Sequence, residues 1–258
     1  MSYIKSYCRI VPGRVTLNGE VFFESDSRRD ADLKADMDAD LNADYITDES
    51  VNFNTNVSNV DEKLRSVHEF FSAVYGCLGV DYRRFYKMDA LSKLGFLASE
   101  LLLADIDKES PKEDIGIVLF NRSSSLETDC RYQKTIQDKN DYFPSPAEFV
   151  YTLPNIVTGE IAIRNKITGE TSFYVISDFQ GDRLCDAIDD MISFAGMKRV
   201  LAGWTEVNAF TGDISCFMAL CEAQSEANNK LISLTGNLLE NLFSKVYVSG
   251  KVKSESVV

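Results

Sequence analysis

Residues 115–120 of this 258-residue chain read IGIVLF, six positions without a charged or hydrogen-bonding side chain. A strand sends successive side chains to opposite faces, so an unbroken apolar run of this kind has to be covered above and below. That requirement predicts a sheet packed between helices, and the rest of the chain supplies both kinds of element. Leu64, Val67, Phe71, Val74 and Leu78 repeat at helical spacing from residue 61, with Asp61 and Glu62 placed in a first turn. Leu91, Leu94, Ala98, Leu101 and Leu102 line one face of a second helix over 89–103. SPAEFVYTL reads as a helical segment stopped by Pro154, NIVTGEIAIRN resumes the helical spacing, and a further helix fits 181–195 with Leu184, Ile188, Met191 and Ile192 inward. The segments YIKSYCRIV and VTLNGEVFF, parted by Pro12 and Gly13, read as strands, as do TSFYVIS, RVLAGWTEV and ISCFMALCEA. The tail from Gln224 reads as mostly helical. The expected fold class is α/β, with a mostly parallel mixed sheet packed between helices.

The expected organisation is a region 1–60 of N-terminal strands plus an acidic loop insertion, an α/β domain over 61–250, and a frayed tail at 251–258. The acidic stretch over 25–59 reads as a solvated loop or short surface helix. Asp36, Asp38 and Asp40 have the Asp-x-Asp spacing of a calcium loop, but neither the glycine at the sixth position nor the glutamate at the twelfth follows. A solvated acidic face is therefore the reading of that segment.

Charge and residue usage exclude several functions. Forty Asp and Glu against 27 Lys and Arg give a net charge of -13, which repels phosphate backbones and anionic membrane surfaces. No run approaches eighteen apolar residues, and the start MSYIKSYCRIVPG lacks the apolar stretch of a signal peptide, so a cytoplasmic protein is expected. The six cysteines form no CxxC pair, and His68 is the one histidine, so no zinc site, other metal or cofactor is expected. Free thiols in a reducing cytosol are expected instead. His68 lies beside the apolar stripe of its helix and reads as a packed helix residue. Ser123, Ser124 and Ser125 look like a nucleophile cluster, but hydroxyls without a base are weak nucleophiles, and a loop hydrogen-bonding role is expected. There is no GxGxxG, GxxxxGK[ST] or GxSxG motif.

Three stretches, in this order and at this spacing, resemble the N-terminal half of β-ketoacyl synthases. KMDALSKLGFLASELLL at 87–103 resembles the family's first conserved helix. IGIVLFNRSSSLETD at 115–129 resembles the strand and serine-rich loop that follow. PSPAEFVYTLPNIVTGEIAIRNKITGETSFYVIS resembles the segment with a leucine-Pro-Asn, a Gly-x-Ile-Ala helix and the strand that delivers the nucleophile. The resemblance covers residues 80–222 and implies a thiolase-like fold. In the family the catalytic cysteine stands at the N-terminus of a helix, where the dipole and free amides favour the thiolate. Aligning Leu184 with the leucine after that turn puts Gln180 in the cysteine's place, and a carboxamide cannot form a thioester. A shift by one residue puts Phe179 there, and Cys185 falls inside the helix, facing packing. The two histidines that the family draws from a C-terminal half have no counterpart, since no histidine follows His68 in this sequence.

The resemblance implies a chain length factor, the inactive partner of a full-length ketosynthase in type II polyketide, aryl-polyene or flexirubin-like synthesis. It implies pairing through the strand Phe173, Tyr174, Val175, Ile176 and Ser177, edge to edge with its counterpart, and Phe149 and Tyr151 are the candidates to reach the partner's acyl tunnel. Acyl carrier protein is itself acidic, so it is expected to dock on the partner, local basic residues such as Arg83, Arg84 and Lys87 notwithstanding. A Gln-type malonyl decarboxylase and a stand-alone ketosynthase-like scaffold are the alternatives. Half of a thiolase-like fold leaves a broad face bare unless a partner or the helical tail at 224–245 covers it, and an isolated chain is expected to homodimerise or aggregate.

Overall fold

A computed structural model describes residues 2–25, 53–223 and 233–244. The chain opens with strands β1 (Ser2–Val11), β2 (Arg14–Leu17) and β3 (Glu20–Glu24), followed by helix α1 (Phe53–Leu78) and a short 3-10 turn (Arg83–Lys87). Helix α2 (Ala90–Leu102), strand β4 (Ile115–Asn121), helices α3 (Leu126–Lys134), α4 (Pro146–Val150) and α5 (Ile156–Asn165) and strand β5 (Thr171–Val175) come next. Helix α6 (Gly181–Ser193), strands β6 (Arg199–Val207) and β7 (Ile214–Ala223) and helix α7 (Gly236–Ser244) complete it. The expected frayed tail at 251–258 and the acidic residues Asp36, Asp38 and Asp40 lie outside the described residues.

The seven strands form one sheet in the order β3-β2-β1-β7-β6-β4-β5. The sheet is mixed: β4 pairs in parallel with both β5 and β6, and the four remaining pairings are antiparallel. The sheet is mixed as expected but mostly antiparallel and not mostly parallel, because its parallel part is confined to the end that carries β4. There β4 is buried at every residue, as its apolar run requires.

Alternation along the strands divides the interior into two cores. Ile115, Ile117 and Leu119 of β4, with Cys216, Met218 and Leu220 of β7, face α1, α2 and α5. Val118 and Phe120, with Phe217, Ala219 and Cys221, face α6 and α7. This is a sheet between two helical layers, built by the period-two rule from the same strands. Helix α2 begins where the Asp89 carboxylate accepts the Ser92 amide at 3.0 Å, an N-cap bond that satisfies one of the orphan donors of the first turn. Its buried Glu100 pairs with Arg164 at 3.1 Å and Lys108 at 2.5 Å, so α2, α5 and the following loop share one ion network.

Three boundaries differ from the sequence expectation, the first being the helix over SPAEFVYTL, which ends at Val150 and not at Pro154. VTLNGEVFF is two strands and not one, because Asn18 and Gly19 both take positive φ, at 52° and 86°, and form the tight turn of a hairpin. Helix α1 starts at Phe53, inside the segment expected to be an acidic loop, and not at Asp61. Of the tail expected to be helical over 224–245, Gly236–Ser244 is helix α7, 233–235 are not helical, and 224–232 and 245 lie outside the described residues. With α6, helix α7 covers the second face of the sheet, through Leu239 and Phe243. Among the described residues no helix is long and apolar enough to cross a membrane.

Candidate functional site

Strand β5 is the outer strand at the parallel end of the sheet, paired with β4 on one side and with no strand on the other among the described residues. Tyr174 and Val175 are about half exposed, while Phe173 packs against the larger core. The Ile176 amide extends the ladder by donating to the Asn121 carbonyl at 2.9 Å. The chain then turns through Ser177, Asp178 and Phe179 into α6. A cleft of about 500 Å³ runs along this edge, floored by Val118, Phe120 and Ile176 and rimmed by Arg183, Asp186 and the exposed Phe194.

Gln180 is the N-cap residue of α6, in extended backbone conformation. A favourable cap side chain accepts a first-turn amide, but the Gln180 carboxamide oxygen accepts from the Arg183 side chain at 2.6 Å instead. The Gly181 amide, the first free donor of the helix, donates to the Glu240 carboxylate at 2.6 Å. Phe179 packs into an aromatic cluster, stacked on Phe243 at 4.1 Å between centroids and edge-on to Trp204 and Phe217. Gln180 thus stands at a helix N-terminus and presents a carboxamide there. Cys185 is half-buried within α6, where burial and the carboxylates of Asp189, Asp186 and Asp182 push its thiol up to about 11. That suppresses the thiolate. All six cysteines are free thiols, and those of Cys8, Cys216 and Cys221 are pushed further up by complete burial.

The serine-rich loop lies beside this site at the end of β4. Ser124 takes φ of 55° and exchanges hydrogen bonds with Asn121, its amide donating to Oδ1 at 2.9 Å and its carbonyl accepting from Nδ2 at 2.7 Å. The buried Glu206 carboxylate accepts the amides of Arg122 at 2.7 Å and Ser123 at 3.2 Å. The Ser125 hydroxyl donates to the Thr152 carbonyl at 2.5 Å. These bonds tie the loop to Asn121, Glu206 and Thr152, Ser125 through its hydroxyl and Ser123 and Ser124 through their backbone. His68 sits on α1 over the other face of the sheet, edge-on to Phe71 and 3.4 Å from the Lys93 ammonium. Burial, with Lys93 and Arg131 nearby, pushes its imidazole down to about 4.

Phe149 and Tyr151 fall on and just after α4, and the structure does not join them to Gln180. Phe149 is exposed, with its ring 5.5 Å from that of Tyr132 on α3. The Tyr151 hydroxyl donates to buried Glu160 at 3.0 Å, and burial beside that carboxylate raises its pKa. Arg84, itself exposed, pairs with the same carboxylate at 2.8 Å, and Arg83 and Lys87 beside it are exposed as well. Sequence reasoning missed Glu240 and Glu206. Both act through contacts between residues distant in the chain, and neither stands in a motif. Among the described residues no group of three His, Cys, Asp or Glu side chains is placed to hold a metal ion.

No protein-family model matches the chain, and no curated protein matches it. Solved structures share its architecture. The ishigamide ketosynthase/chain length factor aligns with a TM-score of 0.54 and 17% identity, over 88% of this chain and 63% of that chain. The AntDE:AntF complex, a type II PKS acyl-carrier protein with its ketosynthase bound to the hexaketide, aligns with a TM-score of 0.51 and 13% identity, over 89% of this chain and 64% of that chain. This chain thus spans less than two thirds of the length of either. At these identities the likeness shows a common fold, the thiolase-like α/β architecture that the sequence motifs imply.

Proposed function

We propose that this chain, which has the fold of ketosynthase and chain length factor subunits, is a non-catalytic subunit of the chain length factor type. In this reading it pairs with an active full-length ketosynthase and works with it on acyl carrier protein in type II polyketide or aryl-polyene-like synthesis. The observation that carries the reading is the pairing of two features at one place: a carboxamide, Gln180, at the helix N-terminus aligned with the nucleophile, and the edge of β5 that leads into it, which no strand among the described residues covers.

An uncovered strand edge offers unpaired amides and carbonyls to another chain, and apolar side chains beside it make that pairing more favourable. The half-exposed Tyr174 and Val175 and the adjoining cleft give β5 both properties. Phe173 to Ser177 is the proposed interface, with β5 extending the partner's sheet. Exposed Phe149 and, behind it, Tyr151 are the proposed groups that meet the partner's acyl tunnel and limit product length. The net charge of -13 directs the acidic carrier protein to the partner's surface. Six free thiols fit a cytoplasmic setting.

An elongation assay on acyl carrier protein tests the reading, run with an active ketosynthase from the same gene neighbourhood, with and without this chain. Elongation that requires the chain, and a Phe149→Ala variant that shifts the product to longer acyl groups, is the expected result. Malonyl consumption by the pure chain alone would favour the decarboxylase reading. Elongation unaffected by the chain would overturn the proposal.

A further inference from the structure

We infer that α7 is a built-in plug, which closes the helix N-terminus aligned with the acyl-accepting site by inserting the Glu240 carboxylate into it. The inference rests on the fold and on the position of Gln180, and does not depend on a ketosynthase partner.

The first amides of a helix lack intrahelical partners and lie at the positive end of the dipole, so such a site attracts anions. In α6 the Gly181 amide is already taken by Glu240 at 2.6 Å. The two helices meet where both carry glycine. A Cβ on Gly181 would stand 2.3 Å from the Gly236 carbonyl oxygen, and a Cβ on Gly236 would stand 1.8 Å from the Asp182 carboxylate. No side chain other than hydrogen fits either position, and that close approach is what brings Glu240 within reach of the α6 terminus.

The rest of α7 is fastened down around this contact. Leu239 is fully buried in the core under α6, and Phe243 stacks on Phe179, the residue before Gln180, with its rings 6° from parallel. Arg9 of β1 lies over the Phe243 ring, 5.8 Å from its centroid. Upstream, the Leu234 amide donates to the Ser2 carbonyl at 2.9 Å, and the Thr235 hydroxyl accepts the Leu238 amide at 3.2 Å to cap the helix. The site is therefore closed twice, by loss of a thiol and by a carboxylate with a helix behind it. A thioester or a malonyl carboxylate reaches the α6 terminus only after α7 has left.

The test restores the thiol and asks whether it can be reached. In the full-length chain carrying Gln180→Cys, iodoacetamide alkylates a thiolate, forming a sulfur–carbon bond as iodide leaves and the thiol proton passes to buffer. Peptide-resolved mass spectrometry follows the rate at position 180, with exposed Cys77 as the internal reference. The introduced thiol is expected to react about tenfold more slowly than Cys77, and about fivefold or more faster once Glu240→Ala is added. A rate equal to that of Cys77, or one unmoved by Glu240→Ala, overturns the plug. If Gln180→Cys unfolds, which reactive Cys8, Cys216 and Cys221 would reveal, hydrogen exchange at the Gly181 amide decides in the unmodified sequence. Exchange about tenfold faster in Glu240→Ala supports the plug, and unchanged exchange overturns it.

Discussion

On one face of the sheet α2 buries every residue except Lys93, whereas on the other α6 buries only Gly181, Leu184, Ile188 and Met191. Helix α2 is covered by the sheet, α1 and α5, and its sequence is apolar nearly all round. Helix α6 is covered by the sheet and α7, and it turns Asp182, Arg183, Asp186 and Asp190 outward. The difference teaches which helix is interior to the molecule and which is an outer layer. The outward side of α6 is thus charged, where that of α2 is buried against other helices. Helix α7 covers the apolar strip beside α6, and Tyr174, Val175 and Phe194 are among the exposed apolar residues, grouped at the β5 edge.

The comparison is sharpened first by removing a ring from the interior. Phe96 of α2 is fully buried, stacked on Tyr82 at 5.5 Å and packed against Phe85 at 5.4 Å. Phe96→Ala is expected to cost about 3 to 5 kcal/mol in urea unfolding, the range of a large core deletion that leaves a cavity. On the outer layer Gly181→Ala drives a methyl group against the Gly236 carbonyl, and α7 can lift to relieve it. A smaller loss, about 1 to 3 kcal/mol, is expected there. Equal losses from the two variants would show that α7 is as integral as α2 and break the contrast.

The smallest effect lies in the pH dependence. The folded pKa of His68, about 4, lies below its ordinary value of 6.5, so the unfolded chain takes up the proton first. The stability tied to the neutral imidazole is complete above about pH 6.5 and is lost as the pH falls toward 4. His68→Gln is expected to lose less melting temperature than the unmodified chain between pH 7 and 4.5, read as the difference between the two curves. A steeper loss in the variant would contradict the packed, neutral histidine.

How far the sequence carried these conclusions depended on the range of the interaction involved. RVLAGWTEV and ISCFMALCEA are β6 and β7 residue for residue, and the helical stripe over 89–103 is α2. In each case burial imposes a period that a short window contains. The hairpin turn at Asn18 and Gly19 was equally local, and its Asn-Gly signal was overlooked inside an otherwise apolar run. The antiparallel half of the sheet was not legible, because β1 and β7 pair across the whole length of the domain. Gln180 was found by aligning one turn. Glu240, which closes the site, was not, since nothing in a nine-residue helix marks which of its polar residues will meet an amide on α6. Tyr151 was legible as an apolar helix position, but its bond to Glu160 depends on how α4 and α5 pack.

The central claim, that the β5 edge is where a ketosynthase joins, is tested most directly by the mass of the co-expressed pair, measured by light scattering during size-exclusion chromatography. A one-to-one complex is expected for the unmodified chain. Val175→Glu is expected to leave the free chain within about 0.5 kcal/mol of its original stability, because the side chain is about half exposed, while the two proteins elute apart. A complex that survives Val175→Glu intact, or no complex with the unmodified chain, would contradict the account.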